Sequence, residues 1–520
     1  MSTTQPNVLF VITDQQRADH VGFAGNGVVR TPNIDAIAER GTVFENAWVA
    51  NPVCMPNRSS IMTGRMPTAH GVVFNDRSLD WGANTFVRRF RSSGYRTGLI
   101  GKSHLQHGMS RNSMVSVDTE AAVSNPYPDG WDRYEDFESY HNGPPEFPDS
   151  FYGFDHVELA IDHGARVTGH HLHWALNRGG RIEDLLTPLT DESPGSDRHP
   201  SWWQIYRPPY DPEFHSTTFV TDRTISFIED ATARKSPWLA WASFPDPHHP
   251  ICPPGDWFDR HSPDDIELPA SIDDPLEDAI DYIKVVSQVH PSKQRMWVHP
   301  CGVGGDHDMV RASIAATYGM VEMIDEGVGQ IMAAIDRLGQ LDNTIVVFTS
   351  DHGDMMGDHG LMLKGLMHYR GTLQVPMVIA DPRQSPGRTS SLASSIDLGP
   401  TLLDLAGVTG YDGIQGTTLR PSIEDPGAAS RDHVLIEDDL PRANAIGRLA
   451  PAKSRTIINA DGIKYSRHST GEDQLFDLSA DHDEMNHLGT ADPALRARMV
   501  DELATALLES ADDARGTPIG

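Results

Sequence analysis

Two short apolar runs, one near the amino end and one late in the chain, each end directly in an aspartate. Asn7–Thr13 precedes Asp14, and Thr344–Ser350 precedes Asp351. Continuous apolar runs of this length, rich in β-branched residues, are typical of buried parallel strands. An aspartate here can simply end a strand in a turn, but open α/β sheets place their binding sites at the carboxyl ends of central strands. The repeated pattern therefore predicts a parallel sheet with two carboxylates at one edge.

Further strands and helices alternate along the chain, which predicts an α/β fold with a central, mostly parallel sheet flanked by helices. More buried strands are predicted at Thr97–Gly101, Trp238–Phe244 and Val375–Ala380. Apolar residues at helical spacing predict several helices, the longest of them at Met309–Leu338.

The length of the chain and a change in its pattern indicate two parts. A chain of 520 residues is too long for one compact core, and we expect a catalytic domain at 1–415. Shorter strands and a terminal helix predict a smaller C-terminal α+β subdomain at 416–520 with an antiparallel sheet. Residues 106–212 are irregular and rich in Pro, Gly, His and aromatic residues. Irregular segments of that length are uncommon unless they are functional, so we expect a wall or lid of a pocket.

The composition of the chain limits the kinds of binding partner and the cellular location that we expect. The formal net charge of −31 argues against nucleic acid or an anionic membrane surface as a partner. An anionic substrate would therefore need a local positive site. Three cysteines without a Cys-x-x-Cys pair form neither a disulfide framework nor a zinc ribbon. The sequence shows no signal peptide and no apolar run of about 18 residues, so we expect a soluble, cytoplasmic protein.

The stretch 52–65 combines a cysteine, a helix start and a basic side chain. Pro56 suits the first turn of a helix, and Gly64 is a typical helix end. A helix that begins here would direct free backbone N–H groups and its positive end at Cys54, an arrangement suited to anions. Arg58, four residues further on, would lie on the same face. The alternative is a buried free cysteine beside a surface arginine.

Other candidate side chains follow predicted strands. Lys102 and His104 come just after one strand and, being two residues apart, share one side of an extended chain. The loop Pro245–Pro250 comes after another strand and carries His248 and His249. Its prolines predict a rigid, non-helical conformation.

Three histidines, His170, His171 and His173, cluster within the irregular segment. Imidazole nitrogens bind divalent metals, so the cluster is a candidate metal site. A histidine-rich loop that contacts substrate or a neighbouring subunit is the alternative that we favour.

Several of these segments belong to one known pattern. The segments are Cys-x-Pro-x-Arg followed by Ser-x-x-Thr-Gly-Arg at 54–65, Gly-Lys-x-His-Leu at 101–105, Pro-His-x-Pro at 247–250, and Ser-Asp-His-Gly-Asp at 350–354 with Lys364 after it. Together they resemble the sulfatase family, within the alkaline-phosphatase-like superfamily. The resemblance implies an alkaline-phosphatase-like sheet and a hydrolase. It also implies that a formylglycine-generating enzyme converts Cys54 into formylglycine, an aldehyde whose hydrate is the nucleophile.

The resemblance further implies one divalent metal, calcium or manganese, held by Asp14, Asp351, His352 and the modified Cys54. Carboxylate oxygens suit calcium, magnesium or manganese, and one imidazole shifts the preference toward manganese. Many family members have a second aspartate at position 15 and an asparagine at position 352. Gln15 and His352 resemble instead the branch with choline sulfatase, phosphonate monoester hydrolases and arylsulfatases. We therefore expect Gln15 to contact the nucleophile or the substrate.

The remaining roles are carried over from the family at matching positions. Arg58 would orient and stabilise the hydrated aldehyde. Lys102 and Lys364 would hold oxygens of the transferred group. His248 would protonate the leaving oxygen, and His104 would take the proton whose removal regenerates the aldehyde.

Three functions are compatible with these residues. The first is a sulfuric ester hydrolase for aryl or small alkyl sulfates, and the second is a phosphonate monoester or phosphodiester hydrolase with the same machinery. The third, an inactive anion-binding relative or scaffold, is disfavoured because every expected polar position is filled. We expect a small anionic ester as substrate and a homo-oligomer, a dimer or tetramer. Asn75, which lies outside every family motif, is an additional candidate for substrate binding.

Overall fold

The computed structural model describes residues 5–75, 77–107, 126–188, 190–293, 300–440 and 452–511. Its strands are β1 Asn7–Thr13, β2 Thr42–Trp48, β3 Arg96–Gly101, β4 His156–Ile161, β5 Thr168–Gly169, β6 Trp238–Ser243, β7 Cys301–Gly302, β8 Thr344–Ser350, β9 Leu361–Met362, β10 Met377–Ala380, β11 Gly387–Ser394, β12 His433–Asp439, β13 Lys453–Asn459, β14 Ile463–His468 and β15 Asp473–Asp477. Its α-helices are α1 Pro32–Ala38, α2 Cys54–Thr63, α3 Pro67–His70, α4 Phe86–Ser92, α5 His170–Asn177, α6 Ile182–Leu185, α7 Ser216–Ala233, α8 Asp281–Val286, α9 His307–Arg337, α10 Arg370–Leu373, α11 Leu398–Leu405, α12 Arg420–Glu424 and α13 Pro493–Glu509.

A nine-stranded sheet forms the centre, in the order β11-β2-β10-β8-β1-β6-β3-β4-β5. Its neighbours run parallel, except that β10 is antiparallel to β8 and β2, and β5 is antiparallel to β4. An antiparallel sheet of β12-β13-β14-β15 follows in the C-terminal part, with α13 packed against it. These observations confirm the predicted α/β fold with a smaller antiparallel sheet. The boundary between 415 and 416 stays a prediction.

Four neighbouring strands, β8, β1, β6 and β3, run in the same direction and end at the same level. Thr13 pairs with Ser350, and Ser243 pairs with both Ile12 and Gly101. The residues that follow each of these strands therefore emerge together at one edge of the sheet, where α/β folds place their sites.

The last residue of β3 has to be a glycine. Gly101 has a φ of +101°, and a Cβ atom at this position would lie 1.8 Å from the carbonyl oxygen of Ser243. Glycine adopts such a conformation without steric cost and leaves room for the neighbouring backbone. The close approach of β3 to β6 sets the direction in which the chain enters the site.

Helices cover both faces of the central sheet. Leu9 and Val11 of β1 face the core formed with α1, α7 and α9, whereas Phe10 and Ile12 face the core formed with α2, α4 and α11. A strand buried on both faces explains the continuous apolar run in its sequence. Among the described residues, no helix combines the length and the apolarity needed to cross a membrane.

The segment 106–212 is more regular than predicted, although its part at 108–125 lies outside the described residues. Strand β4 pairs in parallel with β3 and extends the central sheet. The clustered histidines His170, His171 and His173 lie in α5, and each bonds to the backbone. His170 Nδ1 accepts from Leu159 N–H (3.0 Å), His171 Nε2 lies 2.8 Å from Phe214 O, and His173 Nε2 lies 2.9 Å from Tyr140 O. These contacts serve the packing of α5, and His170, His171 and His173 form none of the candidate metal clusters among the described residues. The favoured alternative, a contact with substrate or a neighbouring subunit, stays a prediction.

Replacing Trp241 with alanine should destabilise the fold by about 3–5 kcal/mol, because it opens a cavity in the middle of the sheet. Trp241 is 1% exposed, and its ring stacks on Phe10 with the centroids 4.3 Å apart. Denaturant unfolding measures the change. Leu508→Ala, at a side chain that is 78% exposed, is the control and should change the free energy of unfolding by less than about 0.5 kcal/mol. Similar losses in both variants would contradict this packing.

Candidate active site

Helix α2 begins at Cys54, as predicted, and all of its residues are buried. The preceding residue, Val53, is extended, and its N–H donates to Asn51 Oδ1 at 2.7 Å. The Oδ1 atom of Asn75 accepts from Met55 N–H at 3.0 Å, which satisfies a free donor of the first helical turn. The side chain of Cys54 therefore lies at the positive end of a buried helix. The contact of Asn75 with substrate stays a prediction.

Arg58 bridges the two aspartates that follow β1 and β8. Its Nε atom donates to Asp351 Oδ2 at 2.7 Å, and its Nη2 atom donates to Asp14 Oδ2 at 3.4 Å. Its Nη1 atom donates to Ser243 Oγ at 2.8 Å and to the carbonyl of Lys102 at 3.0 Å. All three charged side chains of this bridge have 0% exposure. Arg58 thus holds the carboxylates together, and its predicted contact with the hydrated aldehyde stays a prediction.

Asp14 lies among positive charges. The Nζ atom of Lys102 donates to Asp14 Oδ2 and also contacts His163 Nε2. Burial raises the pKa of Asp14, but Lys102, Lys364 and Arg58 outweigh burial and hold this pKa well below its usual value. Asp14 is therefore a carboxylate at neutral pH, despite having no contact with solvent.

Lys364 reaches the side chain at position 54. Its Nζ atom donates to Gln15 Oε1 at 2.7 Å and to Cys54 Sγ at 3.3 Å, and it lies 3.0 Å from His352 Nε2. Gln15 has a left-handed backbone with a φ of +62°, and its Nε2 atom lies 3.0 Å from His249 Nδ1. Gln15 is thus linked to residue 54 through Lys364, and a direct contact with nucleophile or substrate stays a prediction.

The four predicted metal ligands come together. Asp14, Cys54, Asp351 and His352 each place one ligand atom within 4.8 Å of the others. The Nδ1 atom of His352 lies 2.9 Å from the carbonyl of Gly353, which assigns the proton to Nδ1 and directs the Nε2 lone pair at the cluster. Two carboxylates and one imidazole, with the side chain of residue 54 beside them, suit a divalent cation.

His248 lies in a stack of three imidazole rings. Its ring centroid is 3.7 Å from that of His163 and 4.0 Å from that of His249. Its Nδ1 atom lies 2.5 Å from the carbonyl of His249, so Nε2 is the nitrogen left for the pocket. Burial, followed by the charges of His163 and Lys364, lowers the pKa of His248 well below its usual value.

His104 lies close enough to Cys54 for the Cys54 side chain to raise the pKa of His104, against the larger effect of burial. The backbone of His104 is left-handed, with a φ of +55°, and its N–H donates to Glu135 at 2.7 Å. Glu135 is buried and also accepts from the N–H groups of Leu105 and Gln106, at 3.0 and 2.9 Å. Burial and a neighbouring ammonium group lower the pKa of His104 to about 4, so this imidazole is neutral at pH 7 and can accept a proton.

Three buried polar residues of the site were not predicted: His163, Glu135 and Asp354. His163 and Glu135 lie in the segment 106–212, whose turn-rich composition obscured strand β4. The sequence did contain a signal for His163, because β4 is followed directly by Asp162 and His163, the same strand-end pattern as at Asp14. Asp354 is the last residue of the Ser-Asp-His-Gly-Asp motif at 350–354, and it accepts from two backbone N–H groups at 2.7 and 2.9 Å.

The fold and this cluster define a class, the hydrolases built on an alkaline-phosphatase-like sheet. The sulfatase family matches residues 6–408, and the C-terminal region of N-sulphoglucosamine sulphohydrolase matches residues 357–512. An arylsulfatase of Clostridium perfringens is 30% identical over 492 residues, which cover 93% of this chain and 90% of that protein. A choline-sulfatase of Rhizobium meliloti is 26% identical over 501 residues, which cover 94% and 83%. The chain belongs to the sulfatase family, and it is a hydrolase.

A solved structure shows the same fold. The phosphonate monoester hydrolase of Agrobacterium radiobacter superposes with a TM-score of 0.77 at 24% identity, covering 98% of this chain and 96% of that one. This likeness confirms the predicted architecture, and at this identity it concerns the fold alone.

Replacing Asp246 with asparagine should change stability in a pH-dependent way. Asp246 has 0% exposure, lies two residues before His248, and accepts from Thr217 Oγ1 at 3.3 Å. Burial raises its pKa from 3.8 to about 7.

Because the pKa of Asp246 is higher in the folded than in the unfolded chain, the stabilisation from the protonated acid is complete below about pH 4 and is lost as pH rises through about 7. Asp246→Asn should therefore match the wild type at pH 4 and exceed it at pH 8, by up to about 4 kcal/mol in denaturant unfolding. An equal change at both pH values would contradict the raised pKa.

Proposed function

We propose that this chain is a sulfuric ester hydrolase for small aryl or alkyl sulfates, with formylglycine formed from Cys54 as the nucleophile. The observation that supports it most directly is the surroundings of Cys54. Ligand atoms of Asp14, Asp351 and His352 lie within 4.8 Å of one another and of the sulfur, and Lys364 Nζ lies 3.3 Å from it. These residues place a cation site and the ammonium group of Lys364 beside the side-chain atom of residue 54 that would react.

The charges of the site favour a monoanionic ester as the substrate. Arg58 directs its donors at two carboxylates, at Ser243 and at a carbonyl, so the charged groups left for substrate oxygens are Lys102 and Lys364. These ammonium groups would hold the non-bridging oxygens of a sulfate as its charge shifts toward the leaving atom.

The proposed chemistry has two steps. In the first, a hydroxyl of the hydrated aldehyde at position 54 ionises and its oxygen bonds to sulfur, the bond from sulfur to the ester oxygen breaks, and His248 gives its proton to that oxygen. The negative charge of a bound sulfate favours the protonated form of His248, which opposes the effect of burial. In the second step, His104 takes the proton of the remaining hydroxyl, the carbon–oxygen bond to the sulfate breaks, and the aldehyde is restored.

Asp14, Asp351, His352 and the side chain of residue 54 would hold a divalent cation. When bound, the cation would lower the pKa of the attacking hydroxyl and offset charge on the transferred group. Calcium and manganese are the ions that the donor set suits, because oxygen ligands predominate and one nitrogen is present.

A phosphonate monoester or phosphodiester hydrolase is the second candidate. Gln15 and His352 favour it, because both differ from the aspartate and asparagine of many sulfatases. The transferred groups of these esters are also monoanions, so the same two lysines would serve them.

Maturation by a formylglycine-generating enzyme, a homo-oligomeric state and a cytoplasmic location belong to the same proposal. The net charge of −31 is the reason why we expect neither nucleic acid nor an anionic membrane as a partner.

Mass spectrometry of the peptide that contains Cys54 tests the nucleophile. Conversion replaces the thiol by an aldehyde, so residue 54 should lose its sulfur and the peptide should resist alkylation by iodoacetamide. Cys54→Ala should lower kcat/KM for an aryl sulfate by at least about 10,000-fold, because the covalent step is lost. Cys252→Ala, at another buried cysteine, is the matched control and should retain activity. An active enzyme with an unmodified thiol at position 54 would overturn the assignment.

A pair of substrates with one leaving group separates the two candidate functions. Nitrophenyl sulfate and nitrophenyl phenylphosphonate release the same phenolate, so the ratio of their kcat/KM values reports the transferred group alone. We expect the sulfate to be preferred by at least about tenfold, a difference of about 1.4 kcal/mol in transition-state binding. A large preference for the phosphonate would replace the first candidate with the second.

A further inference from the structure

His163 lies inside the site but takes no part in the proposed chemistry. Strand β4 ends at Ile161, and Asp162 has a left-handed backbone with a φ of +75°. This conformation is uncommon for a residue other than glycine and is often found at functional sites. It turns the chain so that His163, at 7% exposure, is buried against the ends of the central strands.

The two ring nitrogens of His163 have different partners. Its Nδ1 atom lies 3.2 Å from the Asp162 carboxylate, and its Nε2 atom contacts Lys102 Nζ. An ammonium group only donates, so Nε2 is the acceptor and Nδ1 carries the proton that it donates to Asp162. Lys102 is thereby held between His163 and Asp14, with its ammonium group fixed at the wall of the pocket.

The ring of His163 has a second contact. It stacks on the ring of His248 with the centroids 3.7 Å apart and the planes 17° apart. The other face of His248 packs on His249 at 4.0 Å, so the proposed general acid is clamped between two rings. This clamp limits the directions in which His248 Nε2 can point.

A second metal site is the competing explanation, because ligand atoms of Asp14, His163 and His248 also lie within 4.8 Å of one another. An imidazole lone pair lies in the plane of its ring. In two rings stacked 17° apart, the lone pairs lie in two nearly parallel planes and cannot both point at one ion about 2.1 Å from each nitrogen. The ammonium group of Lys102 already joins Asp14 to His163. The geometry therefore favours a positioning role.

We propose that His163 is a positioning residue for two groups at once: its Nε2 atom holds Lys102 for a substrate oxygen, and its ring holds His248 for the leaving oxygen. This inference rests on the proposed function, because it assumes that Lys102 binds the transferred group and that His248 is the general acid.

Two substitutions separate the two contacts. His163→Phe keeps a flat ring against His248 but removes the acceptor for Lys102. His163→Gln keeps a polar acceptor near Lys102 but removes the ring. Each variant is assayed with a series of aryl sulfates whose leaving phenols differ in pKa, and its unfolding midpoint is compared with that of the wild type.

We expect His163→Phe to raise KM by about tenfold for every substrate, the factor that corresponds to one lost hydrogen bond, without changing how kcat depends on the leaving group. His163→Gln should leave KM within about threefold. It should lower kcat by about 100-fold for the poorest leaving groups and by less than about threefold for the best ones, because only poor leaving groups need a well-placed proton donor.

His248→Ala is the reference for the general acid and should show the same dependence on the leaving group as His163→Gln, or a stronger one. If His248→Ala shows no such dependence, the role of His248 in the proposed function fails, and the clamping role of His163 fails with it. If His248→Ala shows it and both His163 variants lose rate equally on all substrates, the inference about His163 alone is overturned. If added zinc inhibits the wild type but not His163→Phe, the positioning role is overturned and a metal site takes its place.

Discussion

The rest of the site depends on the ion pairs that the buried guanidinium of Arg58 forms with Asp14 and Asp351. The register of β1 and β8 places Asp14 and Asp351 side by side without solvent, where two carboxylates repel each other and lack hydration. Arg58 donates to both of them from α2. Arginine suits this task because its planar set of donors serves several acceptors and stays charged when buried. The position of Cys54, at the start of the same helix, is therefore coupled to the register of the central sheet.

The same bridge determines which positive charges remain for a substrate. In a chain with a net charge of −31, an anion needs a local positive field, and the guanidinium is already committed to carboxylates. The field at the pocket then comes from Lys102, Lys364 and the start of α2. Lysine ammonium groups are compact charges on flexible stems, so their neighbours have to fix their positions. Gln15 does this for Lys364, and Asp14 does it for Lys102.

Sequence patterns predicted the groups that follow strongly apolar strands and missed those whose place depends on tertiary packing. Asp14 and Asp351 were found because a continuous apolar run and its end are local signals. His163 also follows a strand, but the first half of β4 is only partly buried and its apolar signal is correspondingly weak. Glu135 had no signal, because a carboxylate that accepts backbone N–H groups has no characteristic spacing. The bonds from Arg58 to the two aspartates were also missed, because helical spacing predicts the side of the helix on which a residue lies and not the residue that it contacts.

The C-terminal sheet supplies no predicted catalytic residue, but it contacts the loop that carries Lys364. The Asp438 carboxylate of β12 accepts from Leu366 N–H at 3.0 Å, and Lys464 of β14 donates to a carbonyl of the same loop. Lys464 is buried and paired with Glu484, which accepts from the first N–H of α10. Buried polar groups that are fully paired tolerate little movement, because a broken pair leaves an unpaired charge. The antiparallel sheet thus restricts Lys364 to the neighbourhood of residue 54, so the C-terminal part of the chain contributes to the site at the edge of the central sheet.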